Sequence, residues 1–117
     1  MANAVLEIER LPDDPLDAAS YFYAEVLPGI REDLATAPQM NLTIVFEPAG
    51  HEQRGWRLAV VQELAREYAP SRINALESDD KAAIHAAIAY LGDAPGVTGQ
   101  LLPLDSNGAG EVLYTEK

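Results

Sequence analysis

Residues 58–105 read LAVVQELAREYAPSRINALESDDKAAIHAAIAYLGDAPGVTGQLLPLD. Their order is helix, short strand, helix, turn, strand. Pro70 stops the first helix because proline has no amide proton and clashes with the turn before it. Arg72 to Leu76 (RINAL) then forms a short strand. Ser78 can cap the next helix, with Asp79 and Asp80 in its first turn, where the helix dipole favours acids. That helix is rich in Ala and Ile through Leu91, and Gly92 is a natural residue to follow its end. Asp93-Ala94-Pro95-Gly96 makes a turn, and Val97 to Leu104 is the last strand. This is half of an α/β unit, and the rest of the chain reads as its completion.

Upstream, Ala4 to Ile8 (AVLEI) is a short strand. Leu11 to Pro15 breaks the chain, with Asp14 placed as an N-cap and Pro15 at the first helical position. The helix that follows carries Leu16, Ala19, Phe22, Tyr23, Val26, Leu27, Ile30 and Leu34 at helical spacing. Pro28-Gly29 predicts a kink inside it. Asn41 to Phe46 (NLTIVF) is the clearest strand, nearly continuous in apolar character, as suits a strand buried on both faces of a parallel sheet. A second helix runs from about His51 to Tyr68. The alternation of strand and helix predicts an α/β fold: a small three-layer domain of about four mostly parallel strands and three helices. One domain spans residues 1–117, with 106–117 expected either as a flexible tail or, through its closing EVLY, as a cover for a sheet edge.

Composition narrows the function. The chain has 19 acidic and 8 basic residues, a net charge of −11. A field of that sign repels phosphate backbones and anionic lipids, so neither nucleic acid nor membrane is an expected partner. There is no cysteine, which excludes disulfides, thiolate metal ligands and thiol nucleophiles. The N-terminus MANAVLEIER lacks a basic region followed by an apolar run, so no signal peptide is read there. A cytoplasmic location is expected.

On the second helix, Leu58, Val60, Val61, Leu64, Ala65 and Tyr68 fan across an arc of roughly 160° at 100° per residue. Packing on one sheet takes a stripe of about 100°. Arg57 is the one charge inside the arc. Either a second subunit covers the surplus, or the first helix of the same chain does.

Several stretches resemble the short-chain dehydrogenase/reductase family. LAREYAP-SRINAL resembles its passage from a helix ending Glu-x-Ala-Pro into a strand ending Asn-Ala. IAYLGDAPGVTGQLLPLD resembles its penultimate helix and last strand, and VTGQ is the most specific piece. AEVLPGIRED resembles the long helix before the catalytic-serine strand, and NLTIVFEPAG that strand itself. The likeness runs from about Asp17 to Asp105 and covers the C-terminal half of a doubly wound Rossmann fold.

The resemblance implies what is missing as well as what is kept. No Gly-rich turn joins a first strand to a first helix, so no cofactor is expected; Gly108 and Gly110 follow the last strand. Counting back from Pro70, the family's catalytic Tyr falls on Gly50 and its Lys on Arg54. The Ser falls near Glu47 and the Asn near Pro15. Glycine has no hydroxyl to donate a proton, and arginine is a poor analogue of that lysine. The implied protein is a non-catalytic half-domain. In the family, helices matching Pro15–Ala35 and His51–Tyr68 pair with those of another subunit. That implies a homodimer, or attachment to a full-length dehydrogenase, through Phe22, Val26, Trp56, Val60, Val61, Leu64 and Tyr68.

The alternative is a small-molecule binder with a vestigial pocket at the strand carboxyl ends, around Glu47, His51, Arg54 and Glu77. His51 with Glu47 and Glu52 could also serve acid–base or metal chemistry, although acids at a helix start commonly just favour its dipole. Glu77, Asp79 and Asp80 read as capping, and no metal site is expected. His85 reads as a surface residue.

Overall fold

The β-branched run Thr43-Ile44-Val45 lies in the middle of the strand on which the sheet is built. In a computed structural model, which describes residues 2–104, β1 (Ala2–Ile8) leads into a long helical rod. The rod comprises α1 (Pro15–Tyr21), a π turn (Phe22–Val26) and α2 (Leu27–Thr36). β2 (Met40–Phe46), a 3-10 turn (His51–Gln53), α3 (Arg54–Glu67), β3 (Arg72–Glu77), α4 (Lys81–Gly92) and β4 (Leu101–Pro103) follow. The four strands form one sheet in the order β1-β2-β3-β4, with every neighbouring pair parallel. This is the expected half Rossmann-like α/β domain, with three helical rods on four strands. The tail expected at residues 106–117 lies outside the described residues.

Side-chain alternation divides the core. Leu42, Ile44 and Phe46 of β2 and Ile73 and Ala75 of β3 face Phe22, Ile30 and Leu34 of the first rod and Val60, Val61 and Leu64 of α3. Val45 and Leu76 point the other way, against Ala87 and Leu91 of α4. Each fully buried Phe, Leu, Ile or Val contributes about 1.5–3 kcal/mol. The wide apolar arc is therefore used inside the chain. Phe22, Val60, Val61 and Leu64 are buried at 0–3% exposure, a correction to their reading as interface residues. The first rod covers what the sheet alone could not.

Capping is partly as read. The Asp14 carboxylate accepts the Asp17 amide at 3.1 Å, with Pro15 in the first turn. At α4 the cap is Asp80, not Ser78: its carboxylate accepts the amides of Ala82 and Ala83, while the Ser78 hydroxyl accepts the Asp80 amide. The rod does not simply kink at Pro28. Leu27 donates back five residues to the Phe22 carbonyl, and this wider turn immediately precedes the proline.

The last strand is shorter than Val97–Leu104 because side chains take over part of its ladder. The Thr98 hydroxyl accepts the Ile73 amide at 3.1 Å. The Asn74 amide donates to the Val97 carbonyl, and its oxygen accepts the Gln100 amide, both at 3.0 Å. Gly99 sits at φ 76, a left-handed conformation costly for other residues, and its amide reaches the Ile73 carbonyl at 2.7 Å. The VTGQ motif is thus a stitch that fastens β4 to β3.

Candidate site at the strand carboxyl ends

β1 and β2 both end where the chain turns towards helices, and a cavity of about 250 Å³ opens there. Ile8, Leu11, Asp13, Glu47, Gln53 and Arg57 are among its walls. Two of the side chains lining it, Gln53 and Arg57, are held by partners from distant parts of the chain.

Arg57, the lone charge in the apolar arc, is 4% exposed. Its Nη1 donates to the Glu77 carboxylate at 2.9 Å and to the Glu47 carbonyl at 3.0 Å. Glu77, on β3, is itself only 8% exposed. The guanidinium carbon lies 4.5 Å from the centre of the Phe46 ring, a cation–π contact in a desolvated place. Burying one of these charges alone would cost several kcal/mol; together they neutralise one another, and the Arg57 Nε is left buried without a hydrogen-bond partner.

Gln53, one turn before Arg57, is buried as well. Its amide donates to the Asp13 carbonyl at 2.8 Å, and its oxygen accepts the Trp56 indole N–H at 2.6 Å. Trp56, Phe22 and Phe46 form a cluster with ring centres 5.4–5.7 Å apart. Gln53 thereby ties the loop after β1 to the start of α3.

The four residues expected to form a vestigial pocket separate. Glu47 lines the cavity. Glu77 lies on β3 holding Arg57. Arg54 reaches no closer than 4.0 Å to Glu77 and is 43% exposed. His51 is exposed in the 3-10 turn. Gly50 also lines the cavity, and a Cβ added there would meet the Glu52 carboxylate. The pair that α3 does turn inwards is Gln53 and Arg57. The sequence signal for Arg57 was its position inside an apolar arc; Gln53 gave none.

The arrangement offers a fixed cation already neutralised by Glu77, a committed amide, and carboxylates at Asp13, Glu47 and Glu52 around the opening. Arginine does not deprotonate in proteins and so supplies no proton-transfer step. Among the described residues no three His, Asp or Glu side chains gather to hold a metal ion, and no helix is long and apolar enough to cross a membrane.

The other three expected interface residues, Val26, Trp56 and Tyr68, are partly buried. Tyr68 is occupied: its hydroxyl accepts from Arg31 of α2 at 3.0 Å, and Arg31 also pairs with Glu67. These contacts, Tyr68 first and then Glu67, raise the pKa of Arg31. They clasp α2 to α3 at the surface.

A family model described as short chain dehydrogenase-like protein matches residues 6–104. No curated protein and no solved structure matches the chain significantly.

Proposed function

The chain belongs to the short-chain dehydrogenase-like family, and from that premise we propose that it acts as a non-catalytic protein-interaction module whose partner completes the sheet. The observation that carries this reading is β1. It is a seven-residue parallel strand, paired along one side with β2 and bare along the other among the described residues. Parallel strands are ordinarily enclosed, and an open edge is a template for another strand. Support for a non-catalytic role comes from the strand ends, where Gly50 has no hydroxyl and Gln53 and Arg57 are bound within the chain. The partner is a second copy or a full-length dehydrogenase subunit. With Phe22, Val60, Val61 and Leu64 inside the core, attachment moves from the helix faces to the sheet edge.

Val5→Pro tests this. The Ala2 amide points to the β2 side, towards the Gln39 carbonyl. By alternation the backbone groups of Asn3, Val5 and Glu7 point outwards. Proline at position 5 removes an outward donor and spares the β1–β2 ladder. Sedimentation equilibrium of the wild type, alone and mixed with a full-length short-chain dehydrogenase, should show an assembly that Val5→Pro loses while remaining folded. A wild type that is monomeric in both samples defeats the reading.

The cavity favours a second reading, a small-molecule binder. Its acidic rim suits a neutral or cationic ligand rather than a nucleotide phosphate. A thermal-shift screen separates the two readings: a ligand-dependent rise in Tm that Glu47→Gln abolishes favours binding.

A further inference from the structure

Two hollows lie along the open side of β1. One, of about 360 Å³, and another, of about 390 Å³, share Leu6, Ile30 and Asp33. Together they make one groove the length of the strand, with β1 on one side and the first helical rod on the other. Val26, Ile30 and Leu34 give the wall an apolar surface.

Among the described residues the edge itself is unguarded. Natural edge strands are blunted by prolines, lysines, bulges or short length. Residues Ala2–Ile8 contain no proline, no lysine and one charge, Glu7. They run seven residues in unbroken register with β2, from Ala2↔Met40 to Ile8↔Phe46. Val5 stands 46% exposed in the middle.

Resting on the interaction reading above, we propose that the occupant of this edge is a second copy of the same chain, with the two β1 strands antiparallel about a two-fold axis through Val5. Three observations select this arrangement. The first is hydrogen bonding. In that register Val5 faces Val5 of the other copy, and Asn3 faces Glu7. These are the residues whose N–H and C=O point outwards, so all six outward groups of each strand are paired in three hydrogen-bonded pairs.

The second is charge. A parallel, in-register partner puts Glu7 beside Glu7, and like charges directly opposite are destabilising. The antiparallel register sets Glu7 opposite the uncharged Asn3. The third is packing. Ala4 and Leu6, which face the first rod and the core beneath it, alternate across the axis as neighbours, extending that apolar layer from one copy to the next.

The arrangement has a cost that makes it testable. Asp33 lines both hollows, so each copy brings a carboxylate to the groove beside the paired strands. Each chain also carries −11. Added salt should therefore tighten the dimer by screening this repulsion. Asp33→Asn should tighten it several-fold.

The absence of native cysteine makes a geometric test clean. A single cysteine is placed at Val5 (Val5→Cys) or at Ala2 (Ala2→Cys), and each full chain is treated with a short bis-maleimide. In the proposed dimer the two copies of position 5 have Cα atoms about 5.5 Å apart. The copies of position 2 are six residues apart along the ladder, about 20 Å. A covalent dimer from Val5→Cys and little from Ala2→Cys, in samples that sediment as dimers, supports the proposal. A dimer in which Val5→Cys couples no faster than Ala2→Cys overturns edge pairing but leaves an interaction module that uses another surface. A monomer at every concentration overturns self-pairing. Complex formation with a full-length dehydrogenase, and its loss in Val5→Pro, then decides the broader reading separately.

Discussion

β3 and β1 belong to one sheet and differ by a single residue in length, yet all six residues of β3 are buried and only Ile8 of β1 is. Polarity does not explain the difference. β3 reads RINALE and carries more charge than β1, which reads ANAVLEI. What differs is the provision made for polar groups. Each polar residue of β3 has partners of its own. Arg72 donates to the Leu91 and Ala94 carbonyls at 3.0 and 2.7 Å, closing the end of α4, where a cation also suits the helix dipole. Asn74 stitches on β4, and Glu77 holds Arg57. On β1 only Asn3 has such a partner, accepting the Asn41 side-chain amide of β2 at 3.0 Å, while Glu7 points into solvent. Every polar side chain of the enclosed strand is a connector, whereas the open strand has one short link to its neighbour and leaves Glu7 unengaged.

The contrast can be broken most severely at Glu77. Glu77→Ala leaves Arg57 buried without its carboxylate and should cost about 3–5 kcal/mol. Urea unfolding followed by circular dichroism would measure it. The double variant Arg57→Met with Glu77→Leu should recover most of that loss, because well-packed apolar side chains often match a buried ion pair. A middle effect is expected at Asn74. Asn74→Ala strands the Val97 carbonyl and the Gln100 amide, costing about 1–3 kcal/mol. Hydrogen exchange should show faster exchange at Gln100, with the amides of β1 unchanged. The smallest effect sharpens the comparison from the other side. Val5→Thr at the exposed edge should move monomer stability by no more than about 0.5 kcal/mol, read from the same urea midpoint at a concentration low enough to exclude assembly.

Much of this fold was legible because its signals are local. The β-branched run of β2, the Asp14-Pro15 start, the Pro70 stop and the strand–helix alternation all act within a few residues. The resemblance carried by VTGQ pointed to the right family. The site was legible in part. Glu77 and Arg57 pair across 20 residues of sequence and two elements, so no spacing rule joins them. Arg57 looked like a lapse in an apolar arc, when the arc buries it on purpose beside Phe46. The arc also misdirected the interface. Periodicity counts apolar width without knowing how closely the chain's own first rod packs, and that rod takes the surplus. Ser78 lost the cap to Asp80 because its hydroxyl is engaged two residues on, at the Asp80 amide.

The π turn sets the phase of the first rod on either side of Pro28. A turn in which Leu27 reaches back to Phe22 holds one residue more than a regular helix needs, while Ala18 before it and Ile30 after it both stay buried. It behaves as a single-residue insertion absorbed within the helix, at a point where Pro28 has no amide to give Ala24 and its ring needs room. Insertion and proline therefore compensate each other. Deleting Ala24 alone should press the proline ring into a regular turn, whereas the same deletion with Pro28→Ala should restore an ordinary helix in phase at both ends.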